Sequence, residues 1–220
     1  MTSRQDRAKP PPEQLGFGFD KIREEQETAH LPSDIEQGIA HYRGMLEQHN
    51  AAMLAGDEKG AVAVQKEAVR LAVKLNDGEA GILGGPDAPG YVLMNGTAAA
   101  PGTVPIWGQK GDFDIKVGDT PVHIRMDGML GIGRHCAIWP GFDATVVEPE
   151  KPFVSETGYR SFIGVHAKLV PGLTPDAFAR EVIASYVKGE CKGKLRSVKQ
   201  EYRERYRQEK ESPPPGVIAR

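Results

Sequence analysis

Residues 112–127 hold the densest set of groups able to do chemistry. The run "DFDIKV" alternates, so Phe113, Ile115 and Val117 face one way and Asp112, Asp114 and Lys116 the other. "PVHIRMD" alternates again, with His123, Arg125 and Asp127 opposed to Val122, Ile124 and Met126. If the "GDT" between them is a turn, the polar residues of both strands share one face. A carboxylate, a lysine and a histidine brought together there can hold a metal or move protons. Asp114-Ile115-Lys116 also fits the D/E-x-K element of one nuclease superfamily, with Pro86-Asp87 upstream. "GGPDAPG", however, reads as a turn and not the strand end such a site needs. The ordinary alternative is the solvated face of a half-covered antiparallel sheet, with opposite charges paired across strands. The catalytic candidates are Asp114, Lys116 and His123.

Other chemical groups are more scattered. His135 and Cys136 are adjacent, so on a strand they point to opposite faces and form no dyad, although His123 or His166 could reach the thiol. The expected role of Cys136 is that of a buried structural cysteine. His41 and His49 stand eight apart on a predicted helix, too far for one ion. The clusters "GILGGPDAPG" and "MLGIGRH" lack the strand–GxGxxG–helix context and GxxxxGK[ST], and read as turns or a flap. No metal and no cofactor is expected.

Two stretches suggest binding. The C-terminal region carries Arg203 and Arg207 among further Lys and Arg residues, with Tyr202 and Tyr206 between them, a pattern suited to a phosphate backbone. Glu201, Glu204 and Glu209 are mixed in and would offset part of that field. The run "SETGYRSF" (155–162) reads as a polar turn feeding a strand, with Glu156 and Arg160 placed to meet across the turn and Phe162 and Tyr159 placed to pack. The binding candidates are Glu156, Tyr159, Arg160, Arg203 and Arg207. With Pro152-Phe153 before it, this run resembles uncharacterised accessory proteins of proteobacterial plasmids and phages over about residues 135–170. The resemblance implies a mobile-element setting and brings no activity and no catalytic residue with it.

The elements that must position these groups follow from periodicity. Residues 1–32 read as a flexible arm, with "RAKPPPEQ" extended and Phe17 and Phe19 set among glycines. Residues 33–76 read as a helical hairpin. Ser33 and Glu36 suggest a capping box, Gly56 a stop and Asp57 the next cap. The apolar stripes of the two helices need either the rest of the chain or a second copy to cover them. Residues 77–103 read as a Gly/Pro-rich loop with one short strand at 91–94. Residues 104–190 hold candidate strands at 104–109, 112–117, 121–127, one or two within 135–149 with Pro140-Gly141 as a break point, and 159–170, then a helix begun by Thr174 and Pro175. Residues 191–220 read as a charged helix and a frayed tail. The predicted fold class is α+β: a helical hairpin, a central antiparallel sheet of about five strands, curled or barrel-like, and C-terminal helices.

Composition narrows the function. The chain has 220 residues, 39% hydrophobic and 26% charged, and a net charge of −2, so no global field attracts nucleic acid. The charge is uneven, since residues 188–211 hold nine Lys/Arg against five Glu, a net +4. Two cysteines make no disulfide framework, and no apolar run is long enough to span a membrane. The N-terminal sequence has no secretory h-region, so the expected compartment is the cytoplasm. The expectation is therefore an intracellular, non-enzymatic binding protein, a mobile-element accessory or regulatory protein. A protein partner is favoured over nucleic acid, a homodimer through the helical hairpin is open, and no membrane is involved. The alternative is a small hydrolase or nuclease using the polar face of the 112–127 strands.

Overall fold

A computed structural model describes Arg23, residues 25–131 and residues 138–211. The expectations for the arm through Phe17 and Phe19, for His135 and Cys136, and for the tail after Glu211 lie outside the described residues.

Helix α1 spans Ile35–Ala55. Its N-cap is Asp34 and not Ser33. The Asp34 backbone is extended, and its carboxylate accepts the amide N–H of Glu36 (2.9 Å) and Gln37 (3.0 Å). A charged acceptor one residue further on satisfies the free amides of the first turn, so the predicted capping box is not used. Gly56 ends the helix at φ +73°, and Asp57 caps α2 (Glu58–Lys74) through the amide of Gly60 at 3.0 Å. Tyr42, Leu46, His49 and Met53 are buried on α1, and Ala61, Ala68, Leu71 and Ala72 on α2.

The next segment departs from the prediction. Tyr91–Met94 is not a strand but lies in helix α3, Pro89–Gly96. A four-residue apolar run carries no period of its own. Pro89 at the first turn and the Gly90 amide, bonded to the Ile82 carbonyl at 2.9 Å, decide for helix. A Cβ at Gly90 would sit 2.6 Å from that carbonyl oxygen, so only glycine lets α3 lie so close. Leu93 and Met94 then complete a core with Leu31, Tyr42, Leu46, Leu71, Ile82 and Leu130. The α1 and α2 stripes are thus covered within one chain.

Residues 104–109 are not a strand either. Their backbone groups are taken by side chains: the Trp107 amide donates to Asn50 Oδ1 (3.1 Å), and the Ile106 amide to Gln109 Oε1 (3.1 Å). The Trp107 carbonyl faces His49 Nδ1 at 3.2 Å, and its indole N–H donates to the Leu173 carbonyl at 2.8 Å. Trp107 is fully buried and ties α1 to the chain at Leu173.

Among the described residues the sheet has four strands, not five: β1 Lys110–Val117, β2 Thr120–Asp127, β3 Phe142–Val146 and β4 Tyr159–Phe162. All neighbours are antiparallel in the order β1-β2-β3-β4, and the sheet is open, which corrects the barrel-like expectation. The strand predicted for 159–170 stops at Phe162. Gly164 at φ +71° turns the chain away, and the Ala167 carbonyl accepts the Trp139 indole N–H at 3.1 Å.

One sheet face carries Phe113, Ile115, Val122, Ile124, Met126, Phe142, Ala144, Val146 and Phe162, all buried. Helix α4, Pro175–Gly189, covers it with Phe178, Ala179 and Ile183. The aromatic rings interlock, with Trp139 stacked on Phe178 (centroids 4.7 Å apart) and Phe142 on Phe162 (4.9 Å). Thr174 occupies the N-cap position of α4, but its hydroxyl donates to the Asp176 carboxylate (Oδ1, 2.6 Å) and accepts no amide N–H of the first turn. Helix α5, Gln200–Glu211, closes the described chain.

Candidate binding surface

The other face of the sheet is polar because strict alternation leaves it no other residues. The register sets two rows across it. One runs Asp112, Arg125, Asp143, Ser161, and the next runs Asp114, His123, Thr145, Tyr159. The predicted gathering of polar groups on β1 and β2 is therefore observed. His123 Nδ1 lies 2.9 Å from Asp114 Oδ1, and Nε2 lies 3.9 Å from Asp112 Oδ2. Lys116 is on the same face but opposite Pro121, one step removed from that pair. The imidazole is 43% exposed and Asp114 63%, so water screens the pair. Among the described residues no group of three His, Cys, Asp or Glu could hold a metal ion.

A more organised cluster centres on Asp143. Arg125 Nη2 donates to Asp143 Oδ2 at 2.5 Å, and the Tyr159 hydroxyl donates to Oδ1 at 2.7 Å. Burial alone would raise the Asp143 carboxyl, but hydrogen bonds from Tyr159, Arg125 and Ser161 outweigh it and hold the group below the usual range. The same hydrogen bond, helped by burial, raises the Tyr159 phenol above its ordinary value. Asp143 escaped the sequence reading, although alternation in "FDATV" places it outward between Phe142 and Ala144.

The 155–158 turn feeds this cluster. The Ser155 and Thr157 hydroxyls both donate to the Tyr159 carbonyl, at 2.7 and 3.0 Å, and Gly158 adopts φ +75°. The hydroxyl-rich composition of the run thus satisfies a turn's own backbone. The predicted link between Glu156 and Arg160 does not form. Glu156 pairs with Lys199 Nζ at 2.9 Å, which holds its carboxyl below the usual range, and its carbonyl accepts the Lys199 amide at 2.9 Å. Arg160 points to the opposite face, with its guanidinium 4.6 Å from the Tyr186 ring centroid. Adjacent strand residues face opposite sides, so Tyr159 and Arg160 cannot serve one surface. Phe162 packs in the core as expected, whereas Tyr159 is 43% exposed.

Helix α5 is fastened beside this turn. Segment 196 pairs with 153 through amide–carbonyl bonds of 2.7 and 2.8 Å. Arg207 donates twice to Glu150 Oε1 (2.6 and 3.2 Å), and Arg203 Nε donates to the Val198 carbonyl at 2.6 Å. These two arginines, expected to face a partner, thus also make contacts within the chain. Tyr202 and Tyr206, one turn apart, face β4. Between them and the strand lies a cleft of about 480 Å³ lined by Thr145, Thr157, Tyr159, Tyr202, Arg205 and Tyr206. Tyr206 packs closely on Gly158, where a Cβ would sit 2.8 Å from Tyr206 Cε2. Interleaved Tyr and Arg on a helix were visible in the sequence, but the third ring comes from a strand more than forty residues away.

The sheet thus presents a hydrogen-bonded polar face that ends in an aromatic cleft. The chain is similar to Protein KlcB of Escherichia coli, with 30% identity over 161 residues that make up 71% of this chain and 38% of that protein. A second Escherichia coli Protein KlcB is 35% identical over 141 residues, 64% of this chain and 29% of the relative. The chain therefore spans well under half the length of the curated relatives it matches. No protein-family model matches the chain, and no solved structure matches it. No helix among the described residues is long and apolar enough to cross a membrane.

Proposed function

We propose that this chain is a non-enzymatic binding protein, an accessory or regulatory protein of a mobile element, that engages a macromolecular partner through β4, the 155–158 turn and α5. The carrying observation is the cleft in which an exposed, hydrogen-bonded Tyr159 opposes Tyr202 and Tyr206. Rigid tyrosines with a nearby arginine are the residues that anchor interfaces. The resemblance of residues 135–170 to plasmid and phage accessory proteins and the similarity to Protein KlcB support the setting.

The second reading is a small hydrolase or nuclease, favoured by the Asp114–His123 pair on an open face. One experiment separates the two. The tagged chain is purified from its host as wild type, as Tyr159→Ala and as the double variant Asp114→Asn/His123→Gln. Binding predicts that the co-purifying partner is lost with Tyr159→Ala and kept with the double variant. Hydrolytic activity lost in the double variant, at an unchanged melting temperature, would establish the enzyme instead.

A further inference from the structure

We infer that the cleft between β4 and α5 receives a base of a single-stranded nucleic acid, stacked against Tyr159 with its phosphate directed to Arg205. This rests on the reading of that surface as a partner site and names the partner's chemistry. Three phenol rings converge from two elements, and stacking on aromatic faces is how single strands are held without sequence readout. Tyr159 is 43% exposed, yet its hydroxyl is anchored on Asp143, so the side chain has little ordering left to do on binding.

Charge selects among planar ligands. Among the described residues the lining carries Arg205 and the hydroxyls of Thr145 and Thr157, and no carboxylate. Of the acids off the helix, Asp143 is engaged by Arg125 and Tyr159, Glu150 by Arg207 and Glu156 by Lys199, while Glu201, Glu204 and Glu209 on the helix offset only part of the positive charge of residues 188–211. The stretch 188–211 has a net +4, with exposed Lys192, Lys194 and Arg196 leading toward α5. On the other side Asp112, Asp114 and Asp127 repel phosphate. A strand therefore runs along the 192–205 side and not across the sheet. The cleft lies within the usual range for small-ligand sites, wide enough for one nucleotide. A duplex keeps its base faces stacked inside and offers nothing to Tyr159.

The test is fluorescence anisotropy of the full chain with a labelled thymidine oligonucleotide, with the matching duplex, and with a proline-rich peptide as the protein-like probe. The variants are Tyr159→Ala, Tyr159→Phe, Arg205→Ala and the surface control Lys59→Ala, on α2. The single strand is expected to bind most tightly. Tyr159→Ala should weaken it about ten-fold or more, while Tyr159→Phe, which keeps the ring, retains most of the affinity. Arg205→Ala should lower the salt dependence by about one counterion's worth. Equal binding of duplex, indifference to Tyr159→Ala, or binding of the peptide alone would overturn the inference. If no oligonucleotide binds but the host partner still depends on Tyr159, the inference falls and the binding reading stands. If neither depends on Tyr159, both fall.

Discussion

Asp143→Asn tests the organisation of the polar face most directly. The substitution keeps the shape and removes the charge. Asparagine can still accept from one donor through its oxygen, but its amide then faces the other donor, either Arg125 or Tyr159. A hydrogen bond to a charged group contributes about 1.5–3 kcal/mol when shielded. The Asp143 side chain is only 16% exposed, but Arg125 is 59% exposed, so solvent reduces the ion-pair part to well under 1 kcal/mol. Together with the weakened Tyr159 bond, the expected loss is about 1–2 kcal/mol, which for a chain of this size lowers Tm by about 2–8 °C. The sign with pH is fixed by the lowered Asp143 value. Its contribution is full above the carboxyl's unfolded range, near pH 4, and is lost as pH falls through the folded value. Wild type and Asp143→Asn should therefore differ at neutral pH and converge in acid. Calorimetry across pH reads this, and spectrophotometric titration gives a second readout, because the Tyr159 phenol should titrate lower once Asp143 no longer accepts from it. An unchanged melting temperature together with an unchanged phenol titration would refute the network.

Two further outcomes follow from backbone and burial. Gly158→Ala combines a φ of +75° with a Cβ placed 2.8 Å from Tyr206 Cε2 and 2.9 Å from Val146 Cγ1. It should cost about 1–3 kcal/mol and loosen α5, seen as faster proteolysis after residue 199, and a melt equal to wild type would count against the close packing. Burial holds His49 below its ordinary value, only partly offset by the bond to the Trp107 carbonyl. The unfolded chain takes up a proton there more readily than the folded one, so stability should fall as pH drops below about 6.5. His49→Gln should flatten that part of the pH profile. An identical slope in both proteins would show that other groups carry it.

Local chemistry accounts for what the sequence determined by itself. Alternation fixed which residues of 112–127 face water, and the register then paired Asp114 with His123 and Asp112 with Arg125. Gly56, Asp57 and Pro175 marked helix ends because their requirements are local. Short apolar runs carried no such information. Tyr91–Met94 became helix, and 104–109 stayed irregular because Asn50 of α1 and Gln109 within the run satisfied its backbone amides.

The site depended on tertiary structure for the same reason. Alternation is blind to which long side chain reaches which partner, so Glu156 found Lys199 instead of Arg160, and Arg207 reached Glu150. The "SETGYRSF" run showed its turn and its core phenylalanine openly. That Tyr159 would be pinned by Asp143 and face two tyrosines of α5 required the sheet to bring β3 and β4 together and the chain to return forty residues later. Contacts between residues that far apart are set by packing of whole elements, which no local pattern encodes.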